Sequence, residues 1–261
     1  QRSCNMGFGD CNTRTDDGCE VNLSNSVMHC GACGRACAAA EECVAGVCRS
    51  TGLIGYWPFD GNGDDLVNGR TLTLMGGAGF AGGLFGQALD LHGNASQYAT
   101  RPMDDAVFDF GANDFTVQAW MNYNNTGGEQ IVVEKYITGG GPGWTLTKLG
   151  GNSLHWYSAP SVVMTSGGLT IANSVWHHMV ARRRGSSFAI FYDGVSIVTG
   201  TNAAAIADTS NPLLVGRRNM MDGRPFALDG RVDELAIWSR ALTDAEITAL
   251  YNSGAGRRVL P

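Results

Sequence analysis

The stretch Asp114-Phe115-Thr116-Val117-Gln118-Ala119-Trp120-Met121-Asn122 places apolar side chains at 115, 117, 119 and 121, alternating with Thr116, Gln118, Trp120 and Asn122. Successive side chains of an extended strand point to opposite sides, so residues 115–122 read as a β-strand with one buried face. Similar runs cover residues 53–59, 88–92, 130–136, 144–149, 154–157, 176–182, 187–192, 195–198, 213–215 and 227–238. Short strands at such close intervals, with glycine-rich turns between them, predict an all-β sandwich of two antiparallel sheets. Asp193-Gly194 lies between two of the runs and marks a two-residue hairpin, since both turn positions want positive φ. A single short helix is expected near the end: Thr243 with Glu246 forms a capping box, Ile247, Leu250 and Tyr251 supply an apolar stripe, and Asn252-Ser253-Gly254 stops it.

All eight cysteines of the 261-residue chain, Cys4, Cys11, Cys19, Cys30, Cys33, Cys37, Cys43 and Cys48, precede residue 50. The segment around them is poor in large apolar residues and cannot offset its ordering entropy by a core alone, so the even count reads as a disulfide framework in an oxidising compartment. Zinc is the rival, given Cys30, Cys33 and His29, but no second ligand pair stands at finger or ribbon distance. Pairing stays open among about 105 possibilities. Two parts follow: a cysteine-rich module over 1–50 and a larger domain over 51–261. A net charge of −6 with only 16% charged residues points away from nucleic acid. No apolar run of 18 residues predicts membrane insertion, and the polar opening at Gln1 shows no signal peptide, as in a mature form or a fragment.

The stretch CNTRTDDGCEVNLSNSVMHCGACGRACAAAEECVAGVCRS, residues 11–50, resembles a cysteine-rich repeat of large secreted and surface proteins of myxobacteria and related bacteria. In that family the module occurs in tandem, which implies that Cys4 belongs to a preceding repeat and pairs awkwardly. Beyond it, GLIGYWPFDG, DFTVQAWM, QIVVEK, GWTLTKLGGNSLHW, VWHHMVARRRGSSFAIFYDGVSI, PLLVGRR and FALDGRVDELAIWSRALTDAEITALY fall in the order of the laminin G-like, or concanavalin A-like, jelly-roll family. The resemblance spans residues 52–254, is strongest to the bacterial type 3 laminin G-like domain, and implies two antiparallel sheets, one of them concave.

Asp60, Asn62, Asp64 and Asp65 crowd a glycine-rich loop after the first strand, and hard cations take several oxygens from such loops. The resemblance implies a structural calcium tying Asp60 to Asp233, with Asn62 and Asp65 as further ligands; Asx-turns without an ion are the alternative reading. His177 and His178, adjacent on a strand, face opposite ways and cannot share a metal, so a packed, hydrogen-bonded role is expected. Arg182, Arg183 and Arg184 read as a solvated hairpin tip, with an anion or acidic-sugar contact as the alternative. The same fold hosts glucanases with paired carboxylates on one strand face, but no ExDxE is present, and Glu129 and Glu134, five residues apart, are expected on opposite faces.

Sugar recognition needs aromatic rings for stacking and planar polar groups for hydroxyls. Trp144, Trp156, Tyr123 and Asn122 are the candidate ligand-binding residues, with Tyr157 and Asn152 beside them. The expected function is an extracellular or cell-surface, non-catalytic module that binds glycan or an extracellular protein surface in adhesion. Two alternatives stand beside it: a structural subunit that self-associates or packs into a larger surface assembly, and a polysaccharide hydrolase or lyase with an unrecognised site.

Overall fold

The computed structural model describes residues 4–12, 14, 18–37, 41–137, 139–159, 162–219 and 226–260. The chain divides into two units, Gln1–Leu53 and Ile54–Pro261. In the first, β1 (Phe8–Gly9) pairs with β2 (Val21–Asn22), and β3 (Glu41–Val44) with β4 (Val47–Ser50). Ladders this short cannot hold a chain by themselves, and sulfur does so here. Cys4–Cys19, Cys11–Cys33, Cys30–Cys43 and Cys37–Cys48 use every cysteine, leaving no thiolate for zinc. Cys4 pairs within the module at a Cα separation of 5.6 Å, within the ordinary range, so the expected awkward pairing does not occur. Cys30 and Cys43 are buried, making a disulfide the centre of this unit. Gly31 and Gly46 meet so closely that a Cβ on Gly31 would stand 2.4 Å from the Gly46 carbonyl oxygen.

The second unit is a sandwich. Its strands are β5 (Leu53–Trp57), β6 (Thr73–Met75), β7 (Gly79–Gly82), β8 (Gln87–His92), β9 (Tyr98–Thr100), β10 (Phe115–Tyr123), β11 (Gln130–Tyr136), β12 (Gly143–Lys148), β13 (Leu154–Ser158), β14 (Val162–Thr165), β15 (Trp176–Arg184), β16 (Ser187–Tyr192), β17 (Val195–Thr201), β18 (Leu214–Val215) and β19 (Asp229–Trp238), followed by helix α1 (Asp244–Tyr251). One sheet runs β17-β16-β15-β10-β19-β8-β7, with β5 also on β19; the other runs β14-β13-β12-β11-β18-β9-β6. Strands β6, β7, β9 and β14 are short and lack a marked pattern, so the sequence periodicity does not show them. The hairpin at Asp193 and Gly194 has φ of 47° and 77°, and α1 carries the Thr243/Glu246 capping box with Asn252 in the left-handed region.

Between the sheets Phe110, Phe115, Trp144 and Trp156 close a ring of stacked aromatics. Centroids lie 4.2 Å apart for Phe110 and Phe115, 5.1 Å for Phe110 and Trp144, 5.4 Å for Trp144 and Trp156, and 5.1 Å for Phe115 and Trp156. Strand β10 sends Phe115, Val117, Ala119, Met121 and Tyr123 into this core. Its other face, expected to be the open one, is buried too. Trp120 stacks against His178 and Tyr251, and Thr116 accepts the Leu242 N–H while donating to the Arg240 carbonyl, so α1 and the turn before it cover this face.

The arginine run is not a solvated tip either. Arg183 is buried, donating to the carbonyls of Gly185, Gly111 and Ala203, and Arg182 bonds the Leu242 carbonyl and Asp244. The histidines keep their expected roles. His177 contacts Asp193 and the Tyr192 hydroxyl, while His178 reaches Gln118 on the opposite face.

Trp156→Ala is expected to cost about 3–5 kcal/mol in urea unfolding, because it removes one of the four stacked rings and leaves a cavity between the sheets. Tyr157→Ala, one residue on and facing the other way, is expected to cost far less; equal losses would contradict this orientation of β13.

Candidate functional site

Three of the ring-bearing residues expected to bind sugar lie in the core. Trp144, Trp156 and Tyr123 are 1%, 0% and 0% exposed and belong to the packed layer between the sheets. Trp144 donates its indole N–H to the Phe108 carbonyl and Trp156 donates to Ser158 Oγ, so burial leaves neither donor unpaired. Asn122 is buried in β10, on the sheet whose outer face is closed. None of the four presents a surface to a ligand.

The loop carboxylates are equally committed. Asn62 Oδ1 accepts the Asp64 N–H. Asp65 Oδ1 accepts the N–H groups of Tyr56 and Val67, and its Oδ2 those of Asn68 and Arg70, which makes it the internal anchor of its loop. Asp233 Oδ2 accepts from Leu84 and Phe85 and its Oδ1 from Glu234, while Asp60 Oδ1 accepts from Gln87. A metal ion needs those same lone pairs. Among the described residues no three acidic or histidine ligand atoms converge within 4.8 Å of one another; the single trio at that distance is Cys30, Cys37 and Cys48, all disulfide-bonded. The four expected ligands therefore do not fit a calcium site as a set. Asp60 and Asp233 instead grip one turn, residues 83–87, from two sides.

A different surface gathers functional groups. With Trp144, Leu146, Leu154, Trp156 and Met164 pointing into the core, their neighbours in β12, β13 and β14 face outward from the seven-stranded sheet. Register aligns them in two rows across the strands. One row is Leu214, Glu134, Thr145, Tyr157 and Val163; the other is Ile131, Thr147, His155 and Thr165. Tyr157 packs edge-to-face on Tyr136 at 5.2 Å, and Val163 is 60% exposed. His155 Nδ1 meets Thr165 Oγ1 at 2.9 Å; burial, then the nearby Arg218 charge, pull its pKa below the ordinary histidine value.

Arg218 organises this face. Its guanidinium lies 3.1 Å from Glu129 and 3.5 Å from Glu134, and over the rings of Phe226 and Tyr136 at 5.0 and 5.5 Å. Glu129 and Glu134 thus share a face, contrary to the parity argument. Strand β11 carries a bulge between Ile131 and Val133, so the adjacent Val132 and Val133 both enter the core and the alternation shifts by one. Glu134 is wholly buried, accepts the Asn219 N–H at 2.7 Å, and is lifted to about 7 by burial against the opposing pull of Arg218.

Because that pKa is raised from 4.5, the folded state holds the proton more tightly than the unfolded chain does. The contribution to stability is complete below the unfolded value and is lost as pH rises through about 7. In Glu134→Gln the fall in melting temperature between about pH 5 and pH 8 is expected to shrink relative to the parent. An identical fall would assign the pH dependence elsewhere.

The family model of the concanavalin A-like lectin/glucanases superfamily, laminin G type 3, matches residues 93–248. No curated protein sequence matches the chain. Among solved structures, domain 4 of AbnA, an extracellular arabinanase from Geobacillus stearothermophilus in complex with arabinotriose, superposes with a TM-score of 0.62 at 19% identity, covering 76% of this chain and 97% of that one. The binding domain of Paraclostridial Mosquitocidal Protein 1 gives a TM-score of 0.62 at 19% identity, over 78% of this chain and 52% of that one. The Trypanosoma rangeli sialidase gives 0.58 at 16% identity, over 80% and 34%. At these identities the neighbours attest the fold alone. The family model runs from β9 through both sheets into the helix, and the chain belongs to the concanavalin A-like lectin/glucanases superfamily.

Proposed function

We propose that the larger unit is a non-catalytic recognition domain that binds neutral glycan chains on the outer face of the seven-stranded sheet. The observation that carries the reading is the inequality of the two outer faces. Helix α1 closes that of the eight-stranded sheet with Tyr251 over Trp120, whereas the other carries Tyr157, His155, Thr165 and Val163 beside the Arg218 ion-pair group. Tyr157 offers a ring for stacking, and His155 and Thr165 offer hydroxyl partners. Arg218 is paired with Glu129 and Glu134, and burial with the Arg218 charge disfavours the protonated form of His155, so this face favours an uncharged sugar over a uronate or sialate. Similarly folded domains that bind ligands support the reading, the arabinanase domain in complex with arabinotriose among them. The four disulfides of the first unit fit an extracellular or cell-surface setting.

Glycoside hydrolysis is the second reading, favoured by the shared face of Glu129 and Glu134 and by the raised pKa of Glu134. Against it, Arg218 bonds both carboxylates from the same guanidinium, where an acid and nucleophile pair needs room for the glycosidic oxygen. Release of reducing ends from a polysaccharide that the protein retains would favour hydrolysis over recognition alone.

Affinity electrophoresis through gels containing neutral or uronate-rich polysaccharides tests the proposal. At least one neutral polymer is expected to retard the protein, and Tyr157→Ala to weaken that binding about tenfold through loss of one stacking contact. Val195→Ser, on the other sheet, is expected to change nothing. Migration unaffected by every polymer would overturn the reading.

A further inference from the structure

The turn gripped by Asp60 and Asp233 has a third acidic neighbour that strand alternation hides. Strand β19 departs from its register with β10 between Gln118 and Trp120, Glu234 takes φ +51°, and Val232 and Leu235 both enter the core. The bulge sends Asp233 and Glu234 out on the same side of the sheet. Glu234 is wholly buried; Tyr56 donates its hydroxyl to Oε2 at 2.7 Å and the Val259 backbone N–H lies against the carboxylate, while Oε1 makes no well-formed hydrogen bond. One nitrogen, Arg258 Nη1, stands 2.8 Å from Asp60 Oδ2 and 3.7 Å from that Glu234 Oε1, with the guanidinium 5.2 Å over the Phe85 ring. The backbone is built for the approach. A Cβ on Gly86 would stand 2.0 Å from Asp60 Oδ1, and one on Gly256, two residues before the arginine, 2.5 Å from Leu84 Cδ2.

We infer that Arg258 is the resident cation of this acidic cluster, standing where a divalent ion would bridge Asp60 and Glu234, and that removing its guanidinium opens a divalent-cation site. Two carboxylate oxygens converge on one point, and one of them is buried without a well-formed hydrogen bond, so a positive charge at that point offsets a desolvation cost the fold otherwise carries. The chain supplies that charge itself, on a C-terminal segment packed against the turn, without recruiting an ion from solution. A bare Arg258→Ala cluster keeps the oxygens and loses the charge. Hard oxygens beside a glycine-rich turn are what calcium selects.

The test is calorimetric titration of calcium into the full chain, with melting temperatures in calcium and in EDTA. The parent is expected to bind no calcium and to melt at the same temperature in both. Arg258→Ala is expected to melt lower in EDTA and to recover by roughly 2–4 °C in calcium but not in sodium chloride of equal ionic strength. Adding Asp60→Asn to that variant is expected to abolish the recovery. Arg258→Lys, which keeps a charge, is expected to show no calcium response. Arg258→Gln, which keeps length and loses charge, is read in the same way if the alanine variant fails to fold. Calcium binding by the parent overturns the inference, as does an absence of calcium response in both the alanine and glutamine variants.

Discussion

Burial of the central strand β10 on both of its faces is the constraint from which the rest of the second unit follows. On the inside, Phe115 joins Phe110, Trp144 and Trp156 in the ring of stacked aromatics that fastens one sheet to the other. On the outside, Trp120 needs a cover of its own, and α1 supplies it through Tyr251. A strand that is apolar inside and must also hide an indole outside commits the last helix to one surface. What no helix covers is the outer face of the seven-stranded sheet, where half-buried and exposed groups of β13 and β14 lie beside the buried Glu134, Thr145 and Thr147 of β11 and β12.

Two departures from regular pleating then decide where charge can sit. The bulge at Val132 brings Glu129 and Glu134 to one face around Arg218, and the bulge at Glu234 brings Asp233 and Glu234 to one face around the 83–87 turn. In each place acidic groups meet a guanidinium that lies over an aromatic ring. The pattern has a common energetic reason: a carboxylate taken out of water is tolerable only when donors already fixed by the backbone surround it. Both lysines of the chain obey the same rule. Lys135 is buried with its ammonium on Asp104, Asp109 and the Thr209 carbonyl, and Lys148 is buried against the carbonyls of Thr126 and Gly128. The charges of this domain mostly fasten loops to strands, which agrees with the proposal of a face that binds through rings and hydroxyls.

Much of the architecture is legible in the sequence. The alternation at 115–122, the Asp193-Gly194 turn, the Thr243/Glu246 cap and the confinement of cysteine to the first 50 residues led to the sandwich, its hairpin, its helix and its disulfide-bonded module. The sites were far less legible. Trp144, Trp156 and Tyr123 carry the chemistry of sugar stacking, but composition does not reveal which side of a strand a ring occupies when both sides are buried. Asp65 and Asn62 carry the chemistry of a metal loop, yet their oxygens are consumed by neighbouring N–H groups, the Asx-type role that short-range geometry allowed from the outset.

Period, turn residues and cysteine placement are local properties of a chain, and so the longer strands, their approximate order, the helix and the presence of cross-links were determined by the sequence alone, whereas the short strands β6, β7, β9 and β14 were not. Disulfide partners, strand parity after a bulge, and the meeting of Asp60 with Arg258 across 198 positions depend on contacts distant in the chain. A single inserted residue in a ladder reverses the facing of every side chain beyond it, and only the packed sheets show where that residue lies.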